Sequence, residues 1–269
     1  MGVDPRLESD EHTPLQNRLL AALPRADYEH LRPHLEPVAL PLGRVVHDAG
    51  IRQDLLYFLT SGIVCRSYVT RTGASAGFAL AGREGVVGVA SFLGGESTPS
   101  RAVVLVAGYA YRLRIELLRQ EFKHDGPLPR LLLRYMHALF TQIGQVAVCN
   151  RHHSVEQQVC RWLLSCIERL PANEMAITQE RLAEMLGVRR EGVSEEFSRL
   201  QRAGLIECSR GHIAVLDRAQ LEARACECHA VITRAYERLR ADDRPIERPA
   251  MGLRAARTRR SDLRSAACA

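Results

Sequence analysis

Arg190 and Glu191 stand side by side near the middle of a segment, residues 178–216, whose other polar positions include Thr178, Arg189, Ser194, Glu195, Ser198, Arg210 and His212. Such a pair suits base-pair edges, because a guanidinium donates to guanine O6 and N7 while a carboxylate accepts from cytosine N4. The same residue types also make an ordinary solvated helix face, so their value depends on what positions them. A second set is Gly88, Val89, Ser100, Arg101 and Ala102, where one arginine beside small residues can meet an anion. A third is the thiols Cys149, Cys226 and Cys228, with His152, His153 and His229 nearby in sequence. Two cysteines in a Cys-x-Cys on one helix point about 200° apart, a poor chelate unless the helix is broken. No metal site is therefore expected; thiol sensing or plain burial is the chemistry left to these cysteines.

The elements around Arg190 are easily read. Thr178 can cap a helix, with Glu180 at the positive end of its dipole and Leu182 and Leu186 on one face. Gly187 suits the left-handed conformation that ends a helix and turns the chain. A second helix is predicted from about Arg190 to Ala203, buried through Val193, Phe197 and Leu200 and ended by Gly204. Leu205–Cys208 and His212–Leu216, joined by a turn at Ser209–Gly211, read as a two-stranded wing, and Asp217 can cap a last helix. This is a winged helix-turn-helix, in which the start of the second helix enters the DNA major groove. Residues 171–217 carry six arginines against eight acids, so specific placement rather than bulk charge must supply attraction to DNA.

Upstream, from Val38 to about Ile115, short apolar runs alternate with turn glycines: Leu40–Val46, Leu55–Leu59, Ile63–Thr70, Ala76–Leu80, Val86–Ala90, Arg101–Val106 and Tyr109–Ile115. That spacing predicts an antiparallel β-barrel or jelly roll. Leu15–Leu23 and Ala26–Leu35 precede it as short helices. Between Leu128 and Asn150, Leu132, Met136, Leu139, Ile143 and Val146 alternate steps of four and three, a coiled-coil-like seam expected to pair two chains. A helix from Ser154 to Leu170 follows. The predicted class is α+β. Residues 1–14 are expected to be disordered, 15–126 to form the sensor barrel and 127–153 the dimerisation helix. Residues 154–240 form the winged helix-turn-helix domain, and 241–269 a disordered basic tail.

Composition narrows the function. With 46% hydrophobic and 25% charged residues the chain is an ordinary globular protein. No run of 18 apolar residues and no secretory-type leader is present, so a membrane span is not expected and the cytoplasm is the expected location. Net charge is +6 and Lys123 is the one lysine among 37 basic residues, a bias that a GC-rich coding sequence also produces. Eight cysteines in such a chain read as thiols rather than as a disulfide framework. No Gly-rich phosphate loop or HExxH occurs and no nucleophile elbow is read, so catalysis is not expected.

In this order, a glycine-punctuated barrel, a long helix and a winged helix resemble the Crp/Fnr family of bacterial regulators over roughly residues 15–240. The best motif is TQERLAEMLGVRREGVSEEFSRLQRAGLI, Thr178 to Ile206; YFLTSGIV (Tyr57 to Val64) and GREGVVGVASFLGG (Gly82 to Gly95) look like the family's barrel hairpins. The resemblance implies a cyclic-nucleotide-binding-like domain and base reading by an Arg-Glu pair, here Arg190 and Glu191, with a third reader at Glu195. That third residue is acidic, and Arg189 stands where a small capping residue is usual, so a different target sequence is implied. The family's phosphate cassette pairs Gly-Glu with a later Arg-Ser/Thr-Ala. This chain has Gly88–Val89 and Ser100–Arg101–Ala102, so neither a cyclic nucleotide nor another cofactor is expected. Residues 1–35 hold no cysteine, unlike the N-terminal cluster of iron–sulfur members. The implied function is a homodimeric transcription regulator with an effector- or redox-responsive barrel, bound to a two-fold-symmetric DNA site, with RNA polymerase as a candidate partner. The alternative is a ligand-sensing interaction module whose winged helix docks a protein.

Overall fold

The computed structural model describes residues 12–124, 126–209 and 211–241. Of the ends expected to be disordered, residues 1–11 and 242–269 lie outside this set, and Pro14–Gln16 forms a 3-10 turn. Asn17 anchors the first helix, α1 (Arg18–Ala21). Its side-chain oxygen accepts from the Leu19 and Leu20 amides, and its nitrogen donates to Leu59 O at 2.8 Å and Gly85 O at 2.9 Å. The side chain is wholly buried, so these bonds are what make the position tolerable for an amide. α2 (Arg25–Leu31) follows. Both helices are shorter than expected, because 3-10 turns at Pro14–Gln16 and Arg32–His34 take up their flanks.

Two four-stranded antiparallel sheets come next. One runs in the order β1 (Glu36–Leu40), β8 (Gly108–Arg114), β3 (Leu55–Leu59), β6 (Val86–Val87); the other in the order β2 (Val45–His47), β7 (Arg101–Val106), β4 (Ile63–Val69), β5 (Ser75–Ala81). This is the jelly-roll form of the expected fold, not a closed barrel. Leu40, Leu59, Val64, Val87, Val104 and Ala110 fill the space between the sheets. Two predicted strands are cut short by glycines. Gly43, at φ +78°, sits in the turn that breaks Leu40–Val46 into β1 and β2. Gly88, at φ +108°, ends β6 after two residues and starts a 3-10 helix, Val89–Phe92. A Cβ at Gly88 would collide with the Leu55 carbonyl oxygen, so only glycine fits there.

α3 (Ile115–Lys123), which the periodicity does not suggest, leads into α4 (Pro127–His152). Here the seam needs correction. Leu132, Met136, Leu139 and Val146 are all at most 7% exposed, and Ile143 is half-buried. The first three join Ala79 of β5 and Ile232 and Tyr236 of α9 (Glu227–Ala241) in one core, with Ile143 packed against it. All of the seam but Ile143 is buried within the chain. The stripe one residue further on is the open one: Leu133 is 54% exposed and Phe140 61%, with Gly144 and Ala147 also exposed.

α5 (Val155–Ile167) opens on a capping box between Ser154 and Gln157. The remaining elements are β9 (Glu174–Ala176), α6 (Gln179–Leu186), α7 (Arg190–Arg202), β10 (Ile206–Ser209), β11 (His212–Val215) and α8 (Arg218–Arg224). Their core is continuous with the jelly roll: Ile63, Cys65, Leu80 and Leu105 pack with Leu163, Leu182, Met185 and Phe197. A buried ion pair spans the same junction. Glu84 Oε1 lies 2.7 Å from Arg169 Nε, and the guanidinium sits 5.3 Å above the Tyr236 ring. Among the described residues no helix is long and apolar enough to cross a membrane.

Candidate nucleic-acid interface

The helix-turn-helix is built as its residues predict. Thr178 Oγ1 accepts from the Arg181 amide at 3.2 Å, capping α6. Gly187, at φ +67°, ends that helix and lets Val188 N bond back to Ala183 O at 3.1 Å. Val193, Phe197 and Leu200 are completely buried, which fixes the rotation of α7 and turns Arg189, Arg190, Glu191, Glu195 and Ser198 outward as exposed side chains. Arg190 and Glu191 form no hydrogen bond or ion pair with any described residue. Two nearby acids are already matched: Glu184 with Arg181 at 2.7 Å and Glu196 with Arg199 at 2.8 Å. The free cations therefore lie at the front of the helix, and the acidic balance of the segment is partly neutralised behind it.

Ser194 departs from expectation. It is half-buried, and its hydroxyl donates to Gln179 Oε1 at 2.7 Å, so it ties α7 to α6 instead of standing free as a reader. Ser198 donates to Ser194 O at 2.8 Å on its own helix. The wing has a strand that sequence reading missed, β9, which pairs with β11. At the wing turn Gly211 sits beside Thr178, and His212 is exposed, so the wing and the cap of α6 share one edge of the surface. Arg210 lies outside the described residues.

A separate cavity of about 260 Å³ opens between the jelly roll and α4. Val89 and Ser100 line it; Gly88, Arg101 and Ala102 do not. Ala102 is buried between the sheets, and Arg101 turns to Asp48, at 3.5 Å. The polar groups that do face the cavity are His47, Gln53, Arg66, Thr98 and Ser100. Both His47 ring nitrogens, Gln53 Oε1 and Arg66 Nε are buried without a hydrogen-bond partner. Burial, followed by the neighbouring Arg66, pulls the His47 pKa down to about 4. The unfolded chain thus binds a proton near pH 6.5 that the folded chain refuses. Stability is expected to fall as pH drops from about 6.5 toward 4. His47→Gln should flatten that slope in urea midpoints measured across this range.

The cysteines also depart from the reading as sensors. Cys149, Cys226 and Cys228 are buried at 0–4% exposure. Burial raises the Cys149 thiol and pushes Cys228 up to about 12, whereas a reactive sensor thiol is accessible and acidic.

Residues 157–224 match the family model of the Crp-like helix-turn-helix domain. FixK2 from Bradyrhizobium japonicum superposes with a TM-score of 0.63 at 17% identity, over 71% of this chain and 98% of that one. This chain has the Crp/Fnr fold and a Crp-like helix-turn-helix domain. A Crp-family transcriptional regulator from Thermus thermophilus gives a TM-score of 0.58 at 20% identity, over 71% of this chain and 96% of its own. The c-di-GMP-responsive global regulator CLP of Xanthomonas campestris gives 0.58 at 17% identity, over 72% and 100%. No curated protein matches the chain in sequence. Within the Crp/Fnr fold, the departures noted in the sequence stand out structurally: Val89 offers the cavity a hydrocarbon surface, and Arg101 is engaged outside it.

Proposed function

We propose that this chain is a homodimeric, sequence-specific DNA-binding transcription regulator of the cytosol. The observation that carries the reading is the front of α7, where Arg190 and Glu191 project from a Crp-like helix-turn-helix with no partner among the described residues. An arginine in this position matches guanine O6 and N7, and the adjoining carboxylate matches cytosine N4. Selection from a random DNA pool tests the proposal. Enrichment of a motif with two inverted half-sites about one helical turn apart is expected; a pool that stays random would refute it. The protein-docking alternative gains nothing from the geometry, because the exposed front of α7 is polar and lacks an apolar anchor.

The exposed stripe of α4 is the face we assign to the dimer. Leu133, His137, Phe140, Gly144 and Ala147 recur at alternating steps of four and three, with the small residues where two helices can approach closely. Phe140→Asp is expected to weaken association by about 10- to 100-fold and to shift sedimentation toward the monomer. Persistence of the dimer at the same concentrations would place the contact elsewhere.

For the cavity we propose a small polar effector other than a cyclic nucleotide, recognised by Arg66, His47 and Gln53. Arg66, Tyr68 and Phe78 of β4 and β5 line it. Gly77, in the same strand, comes against Met185 of α6, with Cys65 beside it. A ligand pressing on one face of these strands would thus be felt by the helix-turn-helix on the other. RNA polymerase remains a proposed partner on the same footing.

A further inference from the structure

We propose that Cys149, His153, Cys226 and Cys228 bind one zinc ion in a closed tetrahedral site that fastens α9 to the end of α4. Cys149 and His153 lie one turn apart at the C-terminal end of α4. Cys226 and Cys228 arrive from more than 70 residues away, and the local backbone makes them a usable pair. Ala225 and Cys226 are non-helical, so α8 and α9 are separate helices. Cys226 immediately precedes α9 and Cys228 is that helix's second residue. The break removes the divergence that an unbroken helix would impose on two thiols two residues apart. It also sets Cys226 just before the first turn of a 15-residue helix.

The four ligand atoms lie within 4.8 Å of one another. Cys149 Sγ is 3.6 Å from Cys226 Sγ, and Cys228 Sγ is 3.6 Å from His153 Nδ1. With zinc–sulfur bonds of about 2.3 Å and zinc–nitrogen bonds of about 2.0 Å, a tetrahedron has edges of about 3.5–3.8 Å. An iron–sulfur cluster would hold its thiolates much farther apart, around a core of several atoms. A single ion fits.

The surroundings are those of a ligand set. Glu227 Oε1 lies 3.3 Å from His153 Nε2, placed to accept a hydrogen bond from an Nε2–H and so leave Nδ1 for the metal. Arg161 Nε donates to Cys149 Sγ at 3.2 Å, and this arginine is only 3% exposed. Three thiolates around a divalent ion leave one negative charge, which the guanidinium cancels. Four protein ligands and near-complete burial leave no open position, as in structural rather than catalytic zinc sites. The clamp would hold the far end of the winged-helix unit to the helix that joins it to the jelly roll.

The test uses the full chain purified under reducing conditions with zinc present. Elemental analysis is expected to find about one zinc per chain. Cobalt in its place should give the absorption of a tetrahedral thiolate complex. Cys228→Ser and His153→Ala should lose the metal, while Cys166→Ser, a buried thiol outside the group, should keep it. His153→Cys preserves four ligands and should retain zinc if the deletions prove too unstable to purify. Glu227→Gln should weaken zinc affinity about tenfold or more. A chain that takes up no zinc, that keeps it in both Cys228→Ser and His153→Ala, that carries a Cys149–Cys226 disulfide instead, or that shows iron–sulfur absorption would overturn the proposal.

Discussion

Replacing Arg190 by alanine should cost about 1–3 kcal/mol of binding free energy per half-site on the preferred DNA. That is roughly 5- to 150-fold for each half-site, and both half-sites of a dimer lose it. Affinity for unrelated DNA should change little, because non-specific attraction comes from phosphate contacts spread over the surface. The effect should be confined to recognition. Arg190 is exposed, is the first residue of α7 and has no partner among the described residues. Its loss leaves no buried group unsatisfied, so stability should stay within about 0.5 kcal/mol of the parent. Gel-shift competition between selected and scrambled DNA measures the first quantity, and urea unfolding the second. A variant that discriminates as well as the parent would remove Arg190 from the reading surface.

Glu84→Ala should be the most destabilising single change, lowering the unfolding free energy by about 3–5 kcal/mol. Glu84 and Arg169 are 6% and 5% exposed, and the guanidinium also donates to Ser165 O at 2.6 Å. Removing the carboxylate strands a buried cation. It also deprives the Gly82 amide of its acceptor, Glu84 Oε1, at 3.1 Å. Replacing both partners with apolar residues of similar volume should recover most of the loss, since the pair's own net contribution is small once desolvation is counted. The pair joins the jelly roll to the end of α5 and, through Tyr236, to α9. Hydrogen exchange in α9 should therefore accelerate in Glu84→Ala before the central strands respond. An unfolding midpoint like the parent's would show that the pair is not the fastening described.

The helix-turn-helix was readable because local chemistry specifies it: a threonine cap, a glycine where φ must be positive, and Val193, Phe197 and Leu200 at helical spacing. The length of α4 was equally plain, but the face it offers a partner was not. Two stripes one residue apart both alternate threes and fours, and the more apolar of them suggests itself as the seam. That stripe is buried inside the chain by α9 and β5, an arrangement that depends on contacts about 50 to 100 residues apart. The exposed stripe carries His137, Gly144 and Ala147, which look unremarkable in sequence. The cysteine group escaped notice for a related reason. Its geometry depends on a helix break at Ala225–Cys226 that no glycine or proline announces, and on α9 returning to α4. Arg101, which lies outside the cavity, stands within a recognisable motif, whereas His47 and Arg66 face inward because of strand register.

The most direct measurement compares the DNA motifs selected by the parent chain, by Arg190→Ala and by Glu191→Gln under identical conditions. If the front of α7 reads base pairs, each variant should relax or change the preference at one position, repeated symmetrically in both half-sites, and leave the other positions intact. Three identical motifs would contradict the account.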